Sequence, residues 1–179
     1  KDTVLDIGTN TGALLLYASM FNPKHMIGID INEKALELAK RNMEENKIEN
    51  VTLKCADATT YKGEEVDVII CNPPYFNTNK KLLSKDEYKN LAKHEGVLNL
   101  ENLIKAIRRN LKNHGTLFLL FQTSRLTEVI EELKKNKMTV KKLKFVHDVN
   151  KEYSNVVLIK AAKGAKSGIV VEKPLIISR

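Results

Sequence analysis

Short apolar runs alternate along the chain with stretches whose apolar residues recur at helical spacing. Thr3 to Ile7 is the first run, followed by a glycine-containing turn and a helical stretch from Ala13 to Phe21. Met26 to Ile29 reads as a second strand that ends in Asp30. Asn32 is the expected N-cap of a helix that carries Ala35, Leu36, Ala39 and Met43 on one face. Val51 to Leu53 is strand three, and Val66 to Cys71 is strand four, a mostly apolar run of the kind buried on both faces of a parallel sheet. Asn77 to Asn99 is polar and longer than a routine connection, a length that points to function or disorder. Leu100, Leu103, Ile104, Ile107 and Leu111 then share one helical face; Gly115 ends the following loop, and Thr116 to Phe121 is strand five. A last helix carries Leu126, Val129, Ile130 and Leu133, with Glu128, Glu131 and Glu132 early and Lys134, Lys135 and Lys137 late, as the helix dipole favours. Val140 to Val146 and Asn155 to Ala161 have little between them and predict an antiparallel pair.

Alternating strand and helix requires a mostly parallel sheet with right-handed crossovers and helices on both faces. The expected fold is therefore a Rossmann-like α/β sheet of seven strands that closes on an antiparallel C-terminal pair.

Composition narrows the class without naming it. A chain of 179 residues, 42% hydrophobic and 29% charged, suits one globular domain over 1–179. No apolar run approaches the ~20 residues of a membrane helix, and no basic-then-apolar leader precedes the first strand. A cytoplasmic location is expected. The chain opens with Lys1 almost directly into a strand, so a short N-terminal segment is expected to be missing. Cys55 and Cys71 sit in apolar, strand-like runs without metal-ligand spacing, and are expected to be reduced, buried thiols; no metal is expected. The net charge of +8 favours a polyanionic partner but does not establish one.

Chemistry concentrates at the ends of the strands. Asp6-Ile7-Gly8-Thr9-Asn10-Thr11-Gly12 leaves strand one and opens a helix. Gly8 permits a tight turn, and Gly12 permits close approach of a ligand or a helix. Asn10 stands where a dinucleotide fingerprint would carry its second glycine, so a pyrophosphate fits poorly there. The same loop could be an ordinary strand-to-helix turn. Asp30 ends strand two, where a carboxylate can accept from both ribose hydroxyls, or can cap the next helix. Ala56-Asp57-Ala58 follows strand three, and Asp57 could accept from an adenine amine. In open α/β sheets ligands bind outside the carboxyl ends of the strands, so three acids at three strand ends form a candidate nucleotide rim.

The next strand end carries the most specific motif, Asn72-Pro73-Pro74-Tyr75. Here the chain resembles the class I S-adenosylmethionine-dependent methyltransferases that modify amino nitrogens of adenine, cytosine or protein glutamine. A closing antiparallel strand pair also separates a methyltransferase-type sheet from a dehydrogenase sheet. The resemblance implies S-adenosylmethionine as cofactor, held by Asp6, Gly8, Asn10, Gly12, Asp30, Ile31, Asp57, Ala58 and Asn72. It implies catalysis by Asn72, Pro73, Pro74 and Tyr75. An amide or adenine amine is a poor nucleophile, because its lone pair is delocalised. The Asn72 side-chain oxygen and the Pro73 carbonyl can accept from its two N–H groups and localise that pair. Proline fixes the backbone in advance. Tyr75 offers a flat face for a planar base.

Over nearly its whole length the chain further resembles the bacterial tRNA adenine-N6-methyltransferases that act beside the anticodon of a valine tRNA. That closer resemblance rests on Asp6 to Gly12, on Asn72 to Phe76, and on Ala92-Lys93-His94-Glu95. It implies tRNA as partner and substrate contacts by Phe76, Lys93, His94 and Glu95. His94 and Glu95 could equally be solvated or cap the next helix. The loop lysines, with Arg108 and Arg109, are candidates for phosphate contacts. A release-factor glutamine methyltransferase shares the tetrapeptide and is the alternative enzyme. A non-catalytic RNA-binding module is disfavoured by the intact Asn72 and Tyr75, and a nicotinamide dehydrogenase by Asn10.

Overall fold

The computed structural model describes residues 2–73 and 99–178. In chain order the elements are β1 (Thr3–Ile7), α1 (Ala13–Ser19), β2 (His25–Asp30), α2 (Glu33–Glu45), β3 (Val51–Cys55) and β4 (Val66–Cys71). They continue as α3 (Leu100–Asn110), β5 (Leu111–Gln122), a 3-10 turn (Thr123–Arg125), α4 (Leu126–Lys135), β6 (Met138–Asp148) and β7 (Val156–Lys163). Two short strands, β8 (Val170–Val171) and β9 (Leu175–Ile177), close the chain.

One sheet takes all the described strands in the order β3-β2-β1-β4-β5-β7-β6-β8, with β9 also on β6. β1 lies parallel to β2 and β4, β2 to β3, and β4 to β5. β7 runs antiparallel to both β5 and β6. This is the expected mostly parallel sheet with a closing antiparallel pair, extended by two strands that pair parallel with β6. From β1 the chain steps outward through β2 to β3, then returns to β4 on the other side of β1. The strand order therefore reverses between β1 and β4, and a crevice opens there at the carboxyl ends.

Each sheet face is apolar where a helix covers it. Leu103, Ile104 and Ile107 of α3 and Val129 and Leu133 of α4 pack with Leu5, Ile7, Ile69, Leu117, Leu119, Val157 and Ile159, all buried. A smaller cluster on Val4, Leu15, Met26 and Met43 joins α1 and α2 to the sheet. Asn32 caps α2 as expected, its side chain accepting from the Ala35 amide at 3.3 Å. Among the described residues no helix is long and apolar enough to cross a membrane.

The structure corrects several boundaries. Leu111 fits the apolar face of α3, yet it is extended (φ −100, ψ 129) and begins β5, upstream of the expected start at Thr116. His114 has a left-handed φ of 64, so the loop expected to end at Gly115 is an irregularity inside β5. α1 ends at Ser19, before Phe21. Cys71 is buried as expected, but Cys55 is exposed, because β3 is the edge of the sheet; both thiols are free.

Beyond β6, Glu172 binds the chain back onto the sheet. Its carboxylate lies 2.8 Å from the Lys142 ammonium and 3.0 Å from that of Lys144, and its amide donates to the Leu143 carbonyl. The two lysines hold the Glu172 carboxyl down at about 2.

Candidate active site

Strand register decides which side chains share the crevice. Ile7 pairs with Ile29 on one side and Cys71 on the other, and Asp30 pairs with Cys55. The residues that follow these strands (Gly8, Ile31, Ala56 and Asn72) therefore emerge along one edge.

Asp6, at the end of β1, is fully buried. Its Oδ2 accepts from the Thr9 hydroxyl at 2.8 Å, while Oδ1 has no hydrogen-bond partner among the described residues. Burial pushes the Asp6 carboxyl up to about 7; the Thr9 hydrogen bond opposes this, and the nearby Asp30 charge adds to it. The loop then turns on two amides, Gly8 and Thr9, which both donate to the Ile29 carbonyl at 2.9 Å.

The two glycines of this loop have different roles. Gly8 has φ 75, is exposed, and has nothing among the described residues within 4 Å of where a Cβ would stand, so it borders the crevice without a neighbour among them. Gly12 has φ 80 and is buried, and a Cβ there would meet the Met43 methyl at 2.8 Å and the Ala39 Cβ at 3.3 Å. The side of Gly12 where a Cβ would stand is taken by helix α2. Asn10, at φ 48, is exposed between them.

Asp30 is half-buried at the end of β2, and its carboxylate is oriented by backbone. Oδ2 accepts from the Asn10 amide at 2.8 Å and Oδ1 from the Asn32 amide at 2.9 Å. Helix α2 itself is capped by Asn32, so Asp30 braces the cap residue and the β1 loop together. Ile31, next in sequence, is 55% exposed and offers an apolar surface beside that carboxylate. Asp57 is half-buried, and its Oδ1 accepts from both the Thr59 amide and hydroxyl at 2.7 Å. Ala58 is half-buried, and its carbonyl accepts from Arg109 Nη2 at 3.3 Å.

Asn72 is exposed at the end of β4, between the buried Cys71 and the buried Pro73. Cys71 anchors this strand end by donating from Sγ to the Ile7 carbonyl at 3.4 Å, and burial pushes its thiol well above the usual range. A hollow of about 410 Å³ runs from Asn72 over the sheet past Leu14, Ile70, Phe118, Leu158 and Lys160. Pro74, Tyr75, Phe76, Lys93, His94 and Glu95, with most of the polar stretch after β4, lie outside the described residues. Among the described residues no cluster of His, Cys, Asp or Glu could hold a metal ion.

Arg109 differs from the sequence reading. Its charge makes it a candidate for phosphate, but its guanidinium turns inward onto the loop after β3, donating to the carbonyls of Ala58, Thr59 and Tyr61. Its neighbour Asn110, which sequence reasoning misses, is buried and bonds the same loop. The one signal in the sequence is an Asn on the buried face of an amphipathic helix.

The methyltransferase domain model matches residues 1–166. The chain belongs to the methyltransferase domain family. Among curated relatives, the tRNA1(Val) (adenine(37)-N6)-methyltransferase of Dyadobacter fermentans is 37% identical over 123 residues, covering 67% of this chain and 50% of the relative. The release factor glutamine methyltransferase of Aliivibrio fischeri is 32% identical over 126 residues, covering 65% of this chain and 44% of the relative. The chain thus spans about half the length of the curated relatives it matches. Solved structures agree on the fold. One from Agrobacterium tumefaciens, described as a predicted O-methyltransferase, superposes with TM-score 0.74 at 17% identity, covering 98% of this chain and 80% of that one. One from Streptococcus mutans, described as a methyltransferase in complex with SAH, has TM-score 0.61 at 19% identity, covering 91% and 89%.

Proposed function

We propose that residues 1–179 form one S-adenosylmethionine-dependent methyltransferase domain that transfers a methyl group to the exocyclic N6 of an adenine in tRNA, in the cytoplasm. The observation that carries this reading is the placement of Asn72, exposed at the end of β4, on the same sheet edge as Gly8, Asp30 and Asp57.

The chain's own residues fit the cofactor. Among the described residues nothing stands beside Gly8, which leaves room for a bulky ligand against the backbone. Asp30 presents a preset carboxylate for the ribose hydroxyls, Ile31 an apolar surface for the base, and Asp57 an acceptor for its amine. Asp6 Oδ1, without a partner among the described residues, is a buried polar atom at the same strand end. S-adenosylmethionine, when bound, supplies an electrophilic methyl on a sulfonium.

Asn72 then holds the target. Its side-chain oxygen and the Pro73 carbonyl accept from the two N–H groups of the amine, which localises the nitrogen lone pair toward the methyl. Once nitrogen carries the methyl it is cationic and sheds its proton readily, so positioning is the main contribution of the protein. The net charge of +8 supports a polyanionic substrate, and the relatives named as tRNA adenine methyltransferases support the same reading. A protein glutamine is the second reading, favoured by the similarity to a release factor glutamine methyltransferase.

The test is incubation of the protein with methyl-labelled S-adenosylmethionine and either tRNA or a release factor, followed by mass spectrometry. Labelled N6-methyladenosine is the expected product. Label confined to a glutamine of the release factor would overturn the RNA reading and establish the second.

A further inference from the structure

We infer that Arg109, together with Asn110, is the positioning residue that sets the cofactor's adenine-reading edge. The inference rests on the reading of Asp57 as acceptor of the adenine amine.

The loop that follows β3 has no helix or strand to hold it until β4 begins at Val66. Its backbone groups must therefore be satisfied from elsewhere. Within the loop Asp57 is locally self-bonded: its carbonyl accepts from the Tyr61 amide at 2.9 Å, and its Oδ1 takes both Thr59 donors. Those bonds shape a turn whose start is tied to β2 by the Ala56 amide, which donates to the Asp30 carbonyl at 2.9 Å. The residues after Asp57 are held by the end of α3. Arg109 Nε donates to the Tyr61 carbonyl at 3.0 Å, and Nη2 reaches the carbonyls of Ala58, Thr59 and Tyr61 at 3.3, 3.0 and 2.7 Å. Asn110 Nδ2 adds a bond to Tyr61 at 3.2 Å, and its Oδ1 accepts from the Gly63 amide at 3.0 Å. Asn110 is held in turn by the Ala106 carbonyl at 2.9 Å.

Geometry explains the residue types. Nη2 alone reaches all three carbonyls, and Nε adds a second bond to Tyr61, so the rigid guanidinium plane fixes the orientation of the clamp, which a single freely rotating ammonium does not. Hydrogen bonds from a charged donor are also stronger than neutral ones. Asn110 lies at the buried end of a helix whose inner face is packed through Leu103, Ile104 and Ile107. The clamp therefore refers the Asp57 turn to the protein core, close to the carboxylate that reads the base.

Calorimetric binding of two ligands tests this: S-adenosylhomocysteine, and the analogue in which the adenine amine is replaced by a carbonyl oxygen, S-inosylhomocysteine. The wild-type protein is expected to prefer the amine by about tenfold or more, the cost of leaving an acceptor unmatched. Asp57→Ala should abolish that preference. Arg109→Met should bring it close to one, and Arg109→Lys should leave an intermediate ratio. Should Arg109→Met weaken both ligands equally with the wild-type preference intact, Arg109 is structural only and the inference fails. Arg109→Lys, which keeps the charge and the stem, decides the matter in the same way if the Met variant does not fold. Equal preference in wild type and Asp57→Ala would instead overturn the reading of Asp57 itself.

Discussion

Asp30 Oδ2 stands 2.8 Å from the backbone nitrogen of Asn10 and accepts its proton, tying the end of β2 to the loop that leaves β1. A carboxylate fixed this way is an acceptor of set direction. Asp30→Ala should weaken S-adenosylhomocysteine binding by about 1.5–3 kcal/mol, tenfold or more, measured by calorimetry. Unchanged affinity would remove Asp30 from the cofactor rim.

Gly12 offers a purely structural test. An added Cβ would stand 2.8 Å from the Met43 methyl, and a non-glycine residue at φ 80 is strained by about 1–2 kcal/mol. Gly12→Ala should lower stability by at least that strain, read from urea unfolding. In a Met43→Ala background, which carries its own cavity cost and is the reference, Gly12→Ala should show the strain without the clash. No loss in that background would mean that backbone conformation is not the constraint.

Asn72→Ala should lower the single-turnover methyl-transfer rate by about 10²–10³, far more than it weakens cofactor binding. Asn72→Asp keeps an acceptor and adds a charge near the sulfonium, and is the natural companion. A wild-type rate for Asn72→Ala would remove Asn72 from the chemistry even with fold and cofactor intact.

Asp6 predicts a pH dependence with a defined sign. Its carboxyl is pushed from 3.8 to about 7 in the fold, so below 3.8 both states carry the proton and its contribution is fully present. As pH rises toward about 7 the unfolded chain releases the proton while the folded protein retains it, and stability is lost. Asp6→Asn cannot titrate. Its urea midpoint relative to wild type should therefore rise between mildly acidic and mildly alkaline buffer; a constant difference would contradict the assignment.

Affinity for tRNA should fall steeply as salt is raised, because each Lys or Arg that meets a phosphate releases counterions. The net charge of +8 motivates the expectation. A flat titration would argue for the protein substrate.

The features legible in sequence are those set by near neighbours. Asn32 and the Ala35 amide it caps are three residues apart, and Asp30 and Asp57 follow strands whose apolar runs mark their own ends. The parallel sheet and its antiparallel closing pair follow from the alternation itself. What stays hidden depends on distant packing. Arg109 meets a loop about 50 residues upstream, so nothing beside it in sequence separates a clamp from a solvated charge. Gly12 is a contact with α2 that only assembly creates. Leu111 continues the helical periodicity although the helix has ended, and Cys55 is exposed only because β3 is outermost.

The outer rim of the sheet is interrupted: β8 and β9 both lie along β6, but Glu172, Lys173 and Pro174 stand between them. Val170, Val171, Leu175 and Ile176 are all exposed, and as one uninterrupted ribbon they would offer foreign chains a sticky template. Proline has no N–H to extend such a ladder, and the flanking charges disfavour a dry seam. The break lets both short strands pair with β6 while denying a neighbouring chain one continuous ladder to extend.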